Sequence, residues 1–189
     1  MANKTLELKQ TIIAHSRLVG ISSDEVALAK SLVDNKCKDK SIFVCEGLWA
    51  AEKLIDNNFK VSHFFYNSEK LESGKYTDND LEKIAKMAKY ASKTCAISEK
   101  ACKKISDREG FDQEFIIAEL KTYSLSDLEK MIEGKSSVLA IVMDGLEQPG
   151  NISAILRSFD CAGGNFAIVT NKQASLSHSR LIRSSLGAS

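Results

Sequence analysis

The sequence predicts an α/β protein of two domains, with mainly parallel sheets. Short apolar runs of strand length alternate along the chain with segments whose apolar residues recur at helical spacing. The polar, irregular residues 119–125 mark a plausible boundary between a first domain, residues 21–125, and a second domain, residues 126–189. Residues 1–20 precede the alternation, and we interpret them as an N-terminal extension that forms either a short helix or a loose tether.

The first domain is predicted from apolar runs, helix caps and turn residues. Ser23 and Asp24 are typical of a helix start, because a serine cap and acidic residues in the first turn stabilise that end. Residues 67–79 are polar and predict a surface loop. The predicted strands are residues 42–45, 61–66, 94–97 and 115–118, and the predicted helices are residues 22–33, 49–55, 80–90 and 99–105.

The second domain begins with a helix over residues 126–132, and residues 136–170 then form a strand–loop–helix–strand unit. The apolar run 138–143 predicts a buried strand, which the turn signal Asp144-Gly145 ends. A strand over residues 166–169 and a basic helix over residues 174–186 follow. The helix between the two strands is predicted from apolar residues on one face, namely Ile152, Ile155, Leu156 and Phe159. Ligands of parallel α/β sheets bind where the strands end, so the loop after the first strand is the first place to look for function.

Charge and composition narrow the classes of function. The net charge is only +1, which offers no global electrostatic attraction to nucleic acid or membrane, yet residues 161–189 carry no acid. The N-terminus lacks a signal-peptide core and no apolar run approaches transmembrane length, so we expect a cytoplasmic protein. The five cysteines form no CxxC pair and the three histidines are scattered; we therefore expect free thiols and no metal site.

Three interpretations compete for the loop at residues 145–151. Gly145 and Gly150 have the spacing of a phosphate loop, but Asn151 and Ile152 stand where that motif needs lysine and then serine or threonine. A dinucleotide-binding turn would need a G-x-G-x-x-G pattern, which is absent. The third interpretation is structural: Asn151 caps the helix, Arg157 lies on the surface, and the glycines only form turns.

The segment DGLEQPGNISAILRSFDCAG resembles the first motif of the SpoU-type (TrmH-like) RNA 2′-O-ribose methyltransferases, of the knotted SPOUT superfamily. The matching residues are Asp144, Gly145, Pro149, Gly150, Asn151, Ile155, Arg157, Ala162 and Gly163. Residues 180–188 resemble the next shared block, and residues 43–47 resemble the F-L-V-E-G strand of the substrate-binding domain in this family. Ser153 stands where the family commonly has glycine, and Asp24-Glu25 replaces an asparagine–proline pair.

The resemblance implies methyl transfer from S-adenosylmethionine to a ribose 2′-hydroxyl of ribosomal or transfer RNA by a homodimer. Arg157 matches the catalytic arginine of the family; because it stays protonated, we expect it to grip an RNA phosphate and position the hydroxyl. Asn151, at the helix entrance, is the second catalytic candidate. Further RNA-binding candidates are Arg180, Arg183, Glu46 and Lys38. The alternative is a protein that binds RNA without methyl transfer or an inactive fragment, and a third possibility is a small nucleotide-binding α/β protein unrelated to RNA.

The resemblance also implies that the second domain is a partial SPOUT (α/β knot) domain. The later motifs of the family, a G-x-E loop and a serine–leucine–asparagine segment, form the knot and most of the cofactor pocket, and neither follows the second block here. That region also supplies much of the family's dimer interface. We therefore expect a truncated chain that binds S-adenosylmethionine poorly, and we assign no cofactor-binding residue.

Overall fold

In the computed structural model, which describes residues 2–106, 108–110, 112–171 and 173–185, the chain separates into two units, Met1–Glu119 and Leu120–Ser189. The division falls at the start of the polar segment in which the sequence suggested a boundary. The end of the predicted helix 174–186, the end of the block 180–188, and Lys172 lie outside the described residues.

The first unit is built on a five-stranded sheet with the order β1-β4-β3-β5-β2. Its strands are β1 Ser16–Leu18, β2 Ile42–Glu46, β3 Val61–Asn67, β4 Lys93–Ile97 and β5 Phe115–Glu119. β4 pairs in parallel with β1 and β3, whereas β5 lies antiparallel between β3 and β2. The carboxyl ends of β1, β2, β3 and β4 therefore all lie at one end of the sheet, and the amino end of β5 lies at that same end. The predicted α/β class is confirmed, while the reversed β5 was not predicted.

Helices flank the strands of this sheet at almost all the places that the sequence predicted. The helices are α1 Ala2–Ala14, α2 Asp24–Val33, α3 Ala51–Asp56, α4 Ser68–Glu72, α5 Asp78–Tyr90 and α6 Glu99–Ile105. Ser23 caps α2 with its hydroxyl, as expected. The segment predicted as a loop contains α4, because the side-chain oxygen of Asn67 accepts the backbone N–H groups of Glu69 and Lys70 and begins a short helix.

The first 20 residues, for which we expected a short helix or a loosely tethered extension, contain the helix α1 and are an integral part of the first unit. α1 packs on α5, with Lys4 Nζ 2.6 Å from Glu82 Oε1 and with the Ile12 side chain fully buried. β1 then pairs with β4 at the edge of the sheet. Three residues are too few to show strand alternation, so the sequence carried no sign of this pairing.

Both faces of the first sheet are covered, and its core lies between the strands and the helices. Phe64, Phe65 and Tyr66 follow one another in β3, and all three side chains are at most 2% exposed. Because consecutive residues of a strand point to opposite faces, such a run requires packing on both sides.

The second unit pairs β6 Ala140–Asp144 with β7 Phe166–Thr170 in parallel, and its helices are α7 Leu125–Ile132, α8 Pro149–Cys161 and α9 Ser179–Ser185. The expectation of a buried first strand is wrong, since Leu139 is 47% exposed and Val142 is 62% exposed. Two paired strands have too few neighbours to cover both of their faces. Of the helices that the structure describes in either unit, none is long and apolar enough to span a bilayer.

Two neighbouring isoleucines of α1 test whether the N-terminal helix belongs to the first unit. Ile12→Ala should lower the free energy of unfolding by about 2–5 kcal/mol, because it leaves a cavity in packed surroundings. Ile13, which is 62% exposed, supplies the matched control, and Ile13→Ala should change stability by less than about 0.5 kcal/mol. Urea unfolding measured by circular dichroism gives both values, and equal effects of the two substitutions would contradict the packing of α1.

Candidate active site

The loop that enters α8 is fixed by the ends of the two paired strands. Gly145 has a φ of 62°, which permits the turn after β6, and its N–H donates to the Thr170 carbonyl at 3.1 Å. The Asp144 carboxylate accepts hydrogen bonds from Thr170 Oγ1 and Asn171 Nδ2, both at 2.7 Å. These two bonds hold the pKa of Asp144 below its usual range. The sequence marked Asp144 only as a turn residue and part of a motif, whereas the structure shows that it links the two strand ends.

Asn151 is the third residue of α8 and is exposed. α8 begins at Pro149 with Gln148 in the cap position, so the structural interpretation in which Asn151 caps the helix does not fit. The Asn151 side chain is thus available at the first turn. Arg157 follows six residues later, about 9 Å along the helix and on a different stripe of its surface.

Arg157 is exposed, and its guanidinium donates a hydrogen bond to the backbone carbonyl of Ser184 in the last turn of α9. A carbonyl at a helix C-terminus carries partial negative charge and favours a cation. The contact restrains the long side chain. A guanidinium has five N–H donors, so Arg157 retains donors for an anion in the solvent.

A buried hydroxyl joins α8 to α9. Ser153 is fully buried, and its Oγ lies within donating distance of the Pro149 carbonyl (2.8 Å) and the Leu181 carbonyl (3.2 Å). Ser184 Oγ donates to Ser153 Oγ at 2.8 Å. Ser184 therefore meets α8 twice, through its hydroxyl at Ser153 and through its carbonyl at Arg157. The serine at a position where the resembling family has glycine connects the two helices.

Arg180 and Arg183 both belong to α9 but occupy different surroundings. Arg180 is exposed and lies over Gly150, where a Cβ atom would be 3.7 Å from its Nη2. Arg183 is half-buried. Arg180 is thus brought to the amino end of α8, beside Asn151, while Arg157 lies almost two turns further along the same helix.

Glu46 and Lys38, the RNA-binding candidates of the first unit, are not brought together. Lys38 is exposed and precedes β2, whereas Glu46 is the last residue of that strand. The two residues therefore lie at opposite ends of the strand. Glu46 is buried, and its carboxylate accepts Arg108 Nη2 at 2.9 Å and Ser106 Oγ at 3.3 Å. A direct RNA contact through Glu46 does not fit this geometry. The sequence does not indicate a role for Arg108, because the residues around it show only a charged loop.

The described residues of the second unit do not by themselves fit an enclosing pocket for S-adenosylmethionine. Leu139 and Val142, which a pocket wall would cover, are exposed to solvent. One cavity, of about 320 Å³, lies wholly in the first unit between Lys60, Tyr90 and Glu119, none of which was a candidate.

The cysteines and acidic residues show no metal chemistry in the part of the chain that the structure describes. No group of three histidine, cysteine, aspartate or glutamate side chains there could hold a metal ion. Cys45, Cys95 and Cys102 are buried free thiols, and burial raises the pKa of the Cys45 thiol to about 12. Cys161, in contrast, is exposed at the end of α8.

No family model and no curated protein matches the chain significantly. Among solved structures, it superposes on an rRNA methyltransferase from Sinorhizobium meliloti with a TM-score of 0.73 and 19% identity, over 92% of this chain and 62% of that one. An RNA 2′-O ribose methyltransferase gives a TM-score of 0.65 and 24% identity, over 91% and 62%. The SpoU methyltransferase AviRb from Streptomyces viridochromogenes, in complex with AdoMet, gives 0.69 and 18%, over 88% and 60%.

The likeness confirms the fold that the resemblance implied. At identities of 18–24%, the chain shares with these methyltransferases the arrangement of its helices and strands. It spans about three fifths of the length of each of them.

Two serines of α8 test the hydroxyl link to α9. Ser153→Ala should destabilise the second unit by about 1–3 kcal/mol, because it removes the buried hydroxyl that bonds to the Leu181 carbonyl and the Ser184 hydroxyl of α9. Ser158 also donates to the carbonyl four residues earlier, at 3.1 Å, but it is exposed, so Ser158→Ala should cost less than about 0.5 kcal/mol. Hydrogen exchange of α8 and α9 amides reports both effects. Unchanged protection in Ser153→Ala would contradict the link.

Proposed function

We propose that the protein acts in S-adenosylmethionine-dependent methylation of a ribose 2′-hydroxyl in ribosomal or transfer RNA. Within that reaction, α8 and α9 supply the side chains that position the RNA. The observation that carries the proposal is Arg157, exposed and restrained by α9 at the position that matches the family's catalytic arginine, in a fold shared with solved RNA methyltransferases.

Arg157 acts by holding the RNA rather than by accepting a proton. Its guanidinium stays protonated, so it binds a phosphate through two parallel N–H donors and orients the neighbouring ribose. The contact with Ser184 fixes the side chain before RNA arrives, which reduces the entropy lost on binding. Correct placement of the hydroxyl accounts for much of the rate of such a transfer.

Arg180 and Asn151 extend the RNA site to the amino end of α8. Arg180 adds a positive charge over Gly150, and the helix end itself carries partial positive charge. Asn151 offers an amide donor and acceptor for a sugar or a base edge. Arg183 contributes a further positive charge on α9.

The bound cofactor supplies the electrophilic methyl group in such a reaction. The open face of β6 and β7 does not by itself form a pocket for it, so the role that we assign to this chain is confined to the RNA. The proposal places the protein in the cytoplasm, where thiols remain reduced, and includes the homodimer that the resemblance implies.

A second candidate function is RNA binding without methyl transfer. The observation that favours it is the exposed face of the β6–β7 pair, where Leu139 and Val142 lie open to solvent. In that case both units would bind RNA and no methyl group would move.

Replacing Arg157 tests the phosphate contact. Arg157→Ala should weaken binding of bulk ribosomal RNA and lower the slope of log affinity against log salt by about 0.7, the loss of one phosphate contact. Lys130→Ala, which removes an equal charge from an exposed site on α7, should leave the slope unchanged. Filter binding at several salt concentrations measures both, and equal slopes for the two variants would remove Arg157 from the RNA site.

Titration with S-adenosylmethionine tests whether this chain binds RNA without binding the cofactor. We expect the 189-residue chain to show no micromolar binding by calorimetry while it still binds RNA, because its second unit leaves the sheet face open. Micromolar binding would contradict this expectation. Transfer of tritium from labelled cofactor into alkali-resistant dinucleotides of ribosomal RNA would then establish 2′-O-methylation by this chain and exclude the second candidate function.

A further inference from the structure

Two basic side chains of the first unit are each held by a buried carboxylate. Arg108 Nη2 lies 2.9 Å from Glu46 Oε2, and Lys70 Nζ lies 3.3 Å from Glu114 Oε1. The glutamate side chains are 4% and 5% exposed, whereas those of Arg108 and Lys70 are 43% and 31% exposed. Each ion pair is therefore oriented, with its carboxylate facing the core and its cation facing the solvent.

The two ion pairs lie at the same end of the sheet, where β2 ends and β5 begins. Glu46, the last residue of β2, is paired with Phe115, the first residue of β5. Glu114 precedes Phe115, and its carbonyl accepts the N–H of Gly47 at 2.8 Å. Neighbouring strands are about 4.8 Å apart, so the two carboxylates that hold the cations are anchored on adjacent strands.

Aromatic side chains hold the two pairs in place. The Tyr76 hydroxyl donates to Glu114 Oε1 at 2.5 Å, and its ring centroid lies 4.8 Å from Lys70 Nζ. The indole N–H of Trp49 donates to the Glu46 carbonyl at 2.7 Å. Cations that are fixed in this way lose little conformational entropy when they bind an anion.

We propose that Arg108 and Lys70 form a phosphate-binding pair for RNA on the first unit, an inference that rests on the proposed function. The exposed guanidinium presents a donor fork to phosphate oxygens, and the lysine adds a second charge. Glu46, which the sequence suggested as an RNA-binding residue, acts indirectly by orienting Arg108. Asp112 lies against Gly47, and its negative charge repels an anion at that point. The phosphates therefore lie over Arg108 and Lys70.

Charge-neutral double substitutions separate this role from simple electrostatics. Glu46→Gln with Arg108→Gln, and Lys70→Gln with Glu114→Gln, each remove one positive and one negative charge, so the net charge stays at +1. Glutamine can retain hydrogen bonds in both buried positions. The matched control is Lys60→Gln with Glu119→Gln. Lys60 Nζ lies 3.4 Å from Glu119 Oε2, and this exposed pair is at the opposite end of the strands of the same sheet.

Each of the two test variants should bind bulk ribosomal RNA about threefold or more weakly than the native chain, with a salt slope reduced by about 0.7. The control variant should bind like the native chain. RNA should also change the fluorescence of Trp49, the single tryptophan in the sequence, in the native chain and in the control, and less in the test variants. Thermal unfolding by circular dichroism establishes that each variant is folded.

The outcomes separate the inference from the proposed function. Native affinity and native salt slope in both folded test variants would overturn the phosphate-binding pair and leave two structural ion pairs. Failure of the native chain to bind RNA at all would overturn the proposed function together with the inference. If a double variant does not fold, Arg108→Lys serves instead: it keeps the charge but loses the fork, so weaker binding at native stability supports the pair and native affinity overturns it.

Discussion

A buried polar group must find a partner inside the protein, and this constraint organises both units. None of the buried side-chain nitrogen or oxygen atoms in the described residues lacks a hydrogen-bond partner. In the second unit the buried hydroxyl of Ser153 lies within hydrogen-bonding distance of the Leu181 carbonyl and the Ser184 hydroxyl, and these contacts link α9 to α8. In the first unit the buried carboxylates of Glu46 and Glu114 form ion pairs with Arg108 and Lys70 at one end of the sheet. The same pairings that satisfy the interior thereby place cations at the surface, where an anionic ligand can meet them.

Local patterns predicted most of the elements because caps, apolar periods and turn residues act within a few residues. The helix Glu99–Ile105 was predicted at its full length, since Ser98 supplies a cap and the apolar spacing is regular. The pairing of strands could not be predicted from these local patterns, because it depends on contacts between residues that are distant in sequence. Thus the antiparallel direction of β5 and the strand Ser16–Leu18 emerge only in three dimensions. Burial of β6 was wrongly predicted because an apolar run does not reveal how many neighbours will cover it.

The candidate site was predictable only as far as it is contiguous in sequence. Asn151 and Arg157 lie in one motif, and the resemblance marked both. Ser153 was noted merely as a departure from glycine, yet it makes the hydroxyl link between the helices. Arg108 carried no signal, because its significance comes from Glu46, a residue 62 positions earlier in the chain. Sequence spacing identifies the residues of a motif, whereas the partners that orient them come from the fold.

The pairing of β1 with β4 also has a consequence for how the chain folds. Ser16 is opposite Thr94, so β1 has no partner in its sheet until nearly eighty further residues have been made. Closing so long a loop is entropically costly, and sheets rich in distant pairings form slowly. β1 can therefore join the sheet only after β4 has been made, and β2, whose partner is β5, only later still. The order of the strands thus makes both outer strands of the first sheet late additions, although both precede its central strands in the sequence.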